Sequence, residues 1–443
     1  MKETDLTQGK IFQKLIKFSL PMIAGNLLQQ IYNLVDTLIV GRCLGADALA
    51  AVGSAYTLMI FITSIIIGLC MGSGAFFSED YGAGNQKKLK EDIWLSFWFI
   101  LSVSVVICAI IYPGMNFILW ILQTPKELMA LTREYVTVVF VGIIFVFLYN
   151  FFAYLLRSMG NSFMPLVFLA ISSVLNIVLD IWFVAGLNMG VGGAALATVI
   201  AQAVSGLGLL IYSMIKIPVL KNNHERTGFN IQRLKEIIIN DVATGIQQSV
   251  MNFGILMIQG LVNSFGITIM ASFAAAVKID TIAYMPAQEF GNAYSLFVSQ
   301  NYGADEKDRI RKGTHISFVI SALFCVVISL MIFIFAENLM RIFIDADEIR
   351  IIAEGTRYLK IEGSMYVGIG VLFLWYGYFR GINKPHISLL LTVISLGTRV
   401  ILSYTLAPHT PLGVTAIWSS IPIGWVLADV VGLYLYMKIF NGR

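Results

Sequence analysis

Apolar residues fill the chain in long runs that short polar segments separate. Twelve runs are long enough to be membrane spans, at residues 18–40, 51–77, 92–113, 134–156, 163–186, 191–215, 237–262, 270–298, 314–336, 356–379, 386–407 and 413–438. A run of about 20 apolar residues can cross a bilayer as a helix, which satisfies its own backbone hydrogen bonds. The pattern therefore predicts an all-α polytopic membrane protein with twelve transmembrane helices.

The composition excludes several other classes of protein. Apolar residues make up 58% of the 443 residues and charged residues 13%, against about 45–50% and about 25% in ordinary globular proteins. A soluble fold of this size has too little interior to hide so much apolar surface. Phosphate-binding, metal-binding and catalytic patterns are missing from the sequence, so we expect no enzymatic activity and no cofactor. Because the basic residues form short clusters between apolar runs, we expect no nucleic-acid partner.

The clusters of basic residues orient the predicted bundle. If both termini face the cytoplasm, most of the 30 lysines and arginines lie on the cytoplasmic side of the twelve spans. This distribution follows the positive-inside rule. It predicts a multi-pass protein of the cell (plasma) membrane with both termini cytoplasmic. The protein is then surrounded by the lipid bilayer. We expect it to be a monomer.

Several short motifs occur once in each half of the chain. The segment 78–83 (SEDYGA) recurs at 299–304 (SQNYGA), Arg157 aligns with Arg380, and Gly190-Val aligns with Gly413-Val. The polar stretch 218–235 separates the two halves, which predicts an N-terminal lobe at 1–217, a cytoplasmic linker and a C-terminal lobe at 236–443. Six spans return the chain to the same side, so the lobes should be related by a pseudo-twofold axis along the membrane normal. This architecture favours a carrier over a channel.

Two acidic residues lie clearly inside spans of the N-terminal half, away from the span ends. Asp36 in the first span and Asp180 in the fifth each fall roughly 8–9 Å from the outer boundary. Asn176 shares a helix face with Asp180, and Thr198 in the sixth span lies at a similar depth. Two close carboxylates in a low dielectric cannot both stay ionised cheaply. The set could therefore carry a proton or bind a small hard cation, and we expect no metal site other than one for Na⁺.

Charged residues in the C-terminal half form a different set. Lys278 and Asp280 lie in the eighth span, Glu362 in the tenth and Arg399 in the eleventh. Ionisable residues inside a membrane are costly and are functional candidates. Two accounts stay open: pairing across helices, for example of Lys278 with Glu362, or a polar cavity for charged substrates.

Beside these features, the sequence resembles the multidrug and toxic compound extrusion (MATE) family of transporters, in its DinF-like prokaryotic branch. The resemblance covers nearly the whole chain and rests on motifs in a fixed order, namely Leu6-Thr-Gln-Gly9 before Leu20-Pro21, Asn33-Leu-Val-Asp36, Tyr81-Gly82-Ala83 with Tyr302-Gly303-Ala304, Arg157-Ser-Met-Gly160-Asn, and Gly190-Val-Gly-Gly-Ala-Ala195. One departure is the seventh span, where Gln247 and Gln248 stand in place of the acid of the NorM-like branch.

The resemblance implies a secondary active transporter that exports small organic, often cationic, compounds in exchange for protons or sodium through two six-helix lobes. By matching positions it implies that Pro21 is a hinge and that the coupling-cation site contains Asp36, Asn176, Asp180, Thr198 and Tyr135. We expect a substrate cavity with Gln29, Tyr32, Asn150, Lys278, Asp280, Glu362 and Arg399. The alternative is a lipid-linked precursor flippase of the wider superfamily. Such a flippase would need a strongly cationic cavity, and it often has extra spans.

Overall fold

The computed structural model describes residues 5–121, 124–221 and 230–441, and all regular structure in these ranges is helical. The described ranges contain fifteen α-helices, of which α8 is a single turn. Their bounds are α1 Ile11–Leu44, α2 Ala46–Gly82, α3 Gln86–Ile121, α4 Met129–Val141, α5 Ile143–Ser158, α6 Phe163–Asp180, α7 Gly190–Lys216, α8 Pro218–Lys221, α9 Ile231–Ser264, α10 Ile267–Gly303, α11 Lys307–Met340, α12 Ile349–Gly363, α13 Tyr366–Gly381, α14 Pro385–Leu406 and α15 Val414–Asn441.

Each of the twelve predicted spans corresponds to one long helix or to two consecutive helices. The fourth is divided at Gly142 into α4 and α5, which are bent by 42°, and the tenth is divided between α12 and α13 at Ser364 and Met365. By length and hydropathy, eight of the described helices could cross a membrane alone, and α4 with α5 makes a ninth span. The predicted spans that do not meet this criterion of length and hydropathy are α1, α9 and the α12–α13 pair, whose sequences contain more polar residues.

The described chain folds into two compact units, and two helices pass from one unit to the other. Leu20–Ser249 belongs to the first unit, whereas Thr7–Ser19 and the chain from Val250 onward belong to the second. The boundaries therefore fall inside α1 and α9. The predicted boundary between the lobes, 1–217 and 236–443, is instead the linker 218–235. Residues 222–229 of that linker lie outside the described residues. The lobe boundaries stay a prediction.

Close packing of small residues joins the first half of α9 to α2 within the first unit. A Cβ on Gly68 would lie 2.5 Å from Cα of Gly245, so the two helices touch backbone to backbone there. One turn along, Asn240 Nδ2 donates a hydrogen bond to the carbonyl of Gly72 at 3.0 Å. The Ser73 hydroxyl donates to the buried carboxylate of Asp241 at 2.5 Å. Glycine at both crossing positions is what allows these bonds to form.

An arginine near the start of α9 reinforces this packing. Arg233 donates from Nη2 to Asp92 Oδ2 of α3 at 2.5 Å and from Nε to Asp92 Oδ1 at 2.9 Å. Its guanidinium also covers the ring of Phe76 on α2, 4.4 Å from the ring centroid. Asp92 is fully buried. A two-pronged arginine–carboxylate contact is among the stronger polar interactions in proteins, so it holds α9 against α2 and α3.

The second unit has an aromatic core and includes the segment Thr7–Ser19. Trp418 stacks on Phe273 with ring centroids 5.3 Å apart and meets Tyr358 edge-on at 4.9 Å. Arg309 donates hydrogen bonds to the carbonyls of Gln8 and Gly9 at 3.0 and 2.8 Å. These bonds explain why Thr7–Ser19 packs with the second unit.

Candidate functional site

The first unit brings two acidic side chains into contact. Asp36 lies on α1 and fully buried Asp180 ends α6, and their carboxyl groups are within hydrogen-bonding reach of each other. Asp36 Oδ1 and both oxygens of Asp180 have no other hydrogen-bond partner. Since an ionised carboxylate only accepts hydrogen bonds, this contact is favourable only when a proton or a cation lies between the two groups.

The α-helical structure of α6 becomes irregular directly after Asp180. The chain continues from α6 into a π-helical turn at Ile181–Gly186. Such turns widen the helix by one residue and occur often at functional sites. The repeat-related helix α14 has no such turn within Pro385–Leu406. The turn was not predicted from the sequence, because its apolar residues fit an ordinary helix equally well.

Buried and half-buried side chains with neutral oxygen atoms lie on the helices that carry or face the acidic pair. Asn176 is buried one turn before Asp180, and its amide oxygen and nitrogen have no hydrogen-bond partner. The Thr198 hydroxyl donates to the Ala194 carbonyl at 3.1 Å, which leaves its lone pairs available. Buried Tyr135 contacts Thr198 and is within electrostatic range of both aspartates. Carboxylate, amide and hydroxyl oxygens together are ligands suited to a hard cation.

The remaining predicted residues of the first unit are spread more widely. Gln29 is exposed but contacts Tyr32, whose ring is within electrostatic range of Asp36. Asn150 donates its amide to the Val146 carbonyl of its own helix at 2.8 Å. Pro21 lies inside α1, just after the point where the chain enters the first unit. Tyr32 therefore lies near Asp36, Gln29 is connected to the acidic pair only through Tyr32, and Asn150 bonds to its own helix.

The second unit contains a cavity with an open mouth, lined by charged, aromatic and aliphatic side chains. Asp280, Glu362 and Arg399 all line it, together with Met251, Val277, Tyr284, Tyr358, Ile369, Leu372, Phe373, Tyr376, Thr392, Ser395, Leu396 and Trp425. Lys278 does not line this cavity, and its side chain is exposed. The residue facing Glu362 with a positive charge is Arg399, not Lys278.

Tyrosines hold the carboxyl groups of this cavity in place. Tyr366 donates its hydroxyl to Asp280 Oδ1 at 2.6 Å, and Glu362 contacts both Asp280 and Tyr358. Sequence reasoning missed Tyr358 and Tyr366. The internal repeat carried a signal for the first, since Tyr358 aligns with Tyr135 at the offset of 223 that relates Arg380 to Arg157. Within the described residues, no group of three or more His, Cys, Asp or Glu side chains is arranged to hold a metal ion.

Both halves of the chain are similar in sequence to known proteins. The family model described as MatE matches twice, at residues 21–182 and 243–405. A relative from Bacillus subtilis (strain 168), named "Probable multidrug resistance protein YpnP", is 32% identical over 401 residues, which cover 89% of this chain and 88% of that protein. The Thermotoga maritima protein named "Probable multidrug resistance protein NorM" is 26% identical, with 95% of this chain and 90% of that protein covered.

Solved structures agree with the predicted fold. The crystal structure of MATE in complex with MaL6 superposes with a TM-score of 0.93 at 24% identity, covering 100% of this chain and 99% of that one. The outward-facing conformation of a multidrug resistance MATE family transporter superposes with a TM-score of 0.92 at 23% identity, covering 100% and 98%. The predicted fold class of twelve transmembrane helices in two six-helix lobes is confirmed. With two copies of the family domain and this fold, the chain belongs to the MatE family of multidrug efflux transporters.

Proposed function

We propose that this protein exports small organic compounds by exchange for protons or sodium ions, and that the exchange operates at Asp36 and Asp180. The observation that carries the proposal is the contact of these two carboxyl groups, in which Asp180 is fully buried. Among the described residues, no lysine, arginine or histidine forms an ion pair with either group. Two carboxylates without a basic partner leave excess negative charge in the site, and a coupling cation would reduce it.

Occupancy of the site would couple the ion to a change of conformation. With a proton or Na⁺ between them, Asp36 and Asp180 can stay together in a low dielectric. Once the ion leaves, two like charges repel each other, so an arrangement that separates or hydrates them becomes more favourable. A ligand shifts a conformational equilibrium only by its differential affinity for the two states. The ion would bind more tightly to the conformation in which the two carboxylates are together than to the one in which they are apart, and this difference in affinity would shift the equilibrium.

Substrate is proposed to bind in the second unit, in the cavity that Asp280, Glu362 and Arg399 line. This assignment keeps the ion and substrate chemistry on different sets of residues. We also propose that the protein is a monomer in the cell membrane. The distribution of lysines and arginines favours a cytoplasmic position for both termini.

Transport by purified protein in sealed vesicles tests the proposal. A pH gradient and a sodium gradient are imposed separately, and the efflux of a fluorescent organic cation is followed. We expect one of the two gradients to drive efflux in the wild type. Asp36→Asn and Asp180→Asn should each abolish gradient-driven efflux, because each removes a titratable, cation-binding group at nearly constant volume.

A surface variant provides the matched control for charge. Asp345 is exposed between α11 and α12, so Asp345→Asn should leave gradient-driven efflux unchanged. Size-exclusion profiles and thermal unfolding in detergent check that all three variants are folded. Full gradient-driven efflux by a folded Asp36→Asn or Asp180→Asn variant would rule out this coupling site.

A further inference from the structure

A buried arginine in the second-unit cavity has no close acidic partner. Arg399 is only 8% exposed and is within electrostatic range of Asp280 and Glu362. Nevertheless, no carboxylate oxygen of the described residues lies within 4.0 Å of its charged nitrogens. Its Nε has no hydrogen-bond partner either. A buried charge without a partner is costly, so this geometry leaves Arg399 ready to bind an anionic group.

The facing carboxyl group is also incompletely bonded. Glu362 is 2% exposed, and its Oε2 has no hydrogen-bond partner. Tyr366 already donates to the neighbouring Asp280 at 2.6 Å. The cavity thus presents an unused acceptor on Glu362 and an unused donor on Arg399, with both residues in its lining.

We infer that this cavity binds amphoteric aromatic compounds, with the ligand's anionic group at Arg399 and its ammonium or amino group at Glu362. The inference rests on the proposed export function and names its substrate class. One ligand carrying both groups satisfies both unused positions, whereas a simple organic cation leaves Arg399 unpaired beside a like charge. The rings of Tyr284, Phe373 and Trp425 in the lining offer flat apolar surfaces for an aromatic body.

The net charge of the lining supports the same conclusion. Asp280 and Glu362 contact each other, which favours a single shared proton. One ionised carboxylate and one guanidinium then remain, so the lining is neutral overall but strongly dipolar. A dipolar cavity is complementary to a zwitterion, in which opposite charges are separated along the molecule.

A matched pair of dyes tests the inference directly. A rhodamine with a free benzoate is amphoteric, and its methyl ester is a simple cation of nearly equal size. Fluorescence polarisation with purified protein in detergent measures both affinities. We expect the wild type to bind the free acid at least about tenfold more tightly than the ester, because a charge-assisted bond to a buried arginine is among the strong ones. Equal or reversed affinities would overturn the inference.

Variants identify the residue that causes the preference. Arg399→Gln should weaken binding of the acid about tenfold or more and should not weaken binding of the ester, because it removes a charge of the same sign as the ester, so that the preference disappears. Arg341→Gln is the control, because Arg341 is half exposed and, among the residues that the structure describes, forms its ion pair with Glu337 at the exposed end of α11. If Arg399→Gln does not fold, the wild-type comparison of acid and ester still decides the matter. A folded Arg399→Gln that keeps the preference would refute the role of Arg399.

The outcome is separable from that of the proposed export function. Gradient-driven efflux of the ester in vesicles, together with equal binding of acid and ester, would leave export standing and refute the amphoteric substrate class. Preferential binding of the acid with neither gradient driving efflux of either dye would refute the export proposal alone.

Discussion

At the scale of residues, equivalent positions in the two repeats carry different chemistry. Asn176 aligns with Arg399 and Asp180 with Ser403, and Ser403 is hydrogen-bonded to Ser420 at 2.8 Å. Only the tyrosine is kept, as Tyr135 in the first unit and Tyr358 in the second. The same helix positions therefore present an acidic oxygen cluster in one unit and a dipolar cavity in the other.

The two repeat-related tyrosines should affect different steps of transport. Tyr135→Phe removes the hydroxyl that contacts Thr198 beside the acidic pair. We expect it to lower the apparent affinity for the coupling ion several-fold, since one neutral hydrogen bond contributes about 1 kcal/mol. Tyr358→Phe should leave ion dependence unchanged and alter substrate affinity. Efflux rates measured against pH and sodium in both variants check this, and equal effects on ion dependence would contradict it.

Arg233 should stabilise the folded protein. Arg233→Gln leaves fully buried Asp92 without its main counter-charge, and breaking a buried pair costs about 3 kcal/mol. We expect a clear fall in the thermal unfolding temperature in detergent. Lys235→Gln, an exposed change of equal charge two residues away, should have little effect. Equal stability of the two variants would contradict the stabilising role.

At the scale of elements, the contact between α2 and α9 depends on glycine. Gly68 has the Gly245 backbone 2.5 Å from where a Cβ would be, whereas Gly53 on the same helix has nothing within 4 Å of that position. The predicted spans gave the position of both helices. They did not indicate that the first half of α9 packs on α2, because an apolar run does not specify which neighbouring helix it contacts.

A matched pair of alanine substitutions in α2 tests the glycine contact. Gly68→Ala should destabilise the protein by about 1–3 kcal/mol, as overpacking of a close contact does. Gly53→Ala should be neutral or stabilising by up to about 1 kcal/mol, because alanine favours helix. Thermal unfolding of the two variants in detergent gives the comparison. A destabilisation of the same size in both would show that the contact is not the cause.

At the scale of the whole molecule, ion coupling and substrate choice should be separable. Glu362→Gln changes the second-unit cavity and leaves Asp36 and Asp180 intact, so the substrate profile should change while the pH or sodium dependence of the remaining transport persists. Transport of several dyes against pH and sodium in this variant and in Asp36→Asn measures both properties. Loss of ion dependence in Glu362→Gln, with ion dependence kept in Asp36→Asn, would place coupling in the second unit.

The sequence by itself determined the helical membrane fold, the internal repeat and most of the polar candidates, because a lipid environment requires long apolar helices and makes each buried acid conspicuous. Depth along the predicted spans was enough to bring Asp36 and Asp180 to one level. Only the tertiary structure decided which side chains point inward: Lys278 is exposed, whereas Arg399 faces Asp280 and Glu362. It also decided that α1 and α9 divide between the two compact units. The physical reason is that helix rotation and choice of neighbour depend on contacts between residues distant in sequence, which local hydropathy does not record.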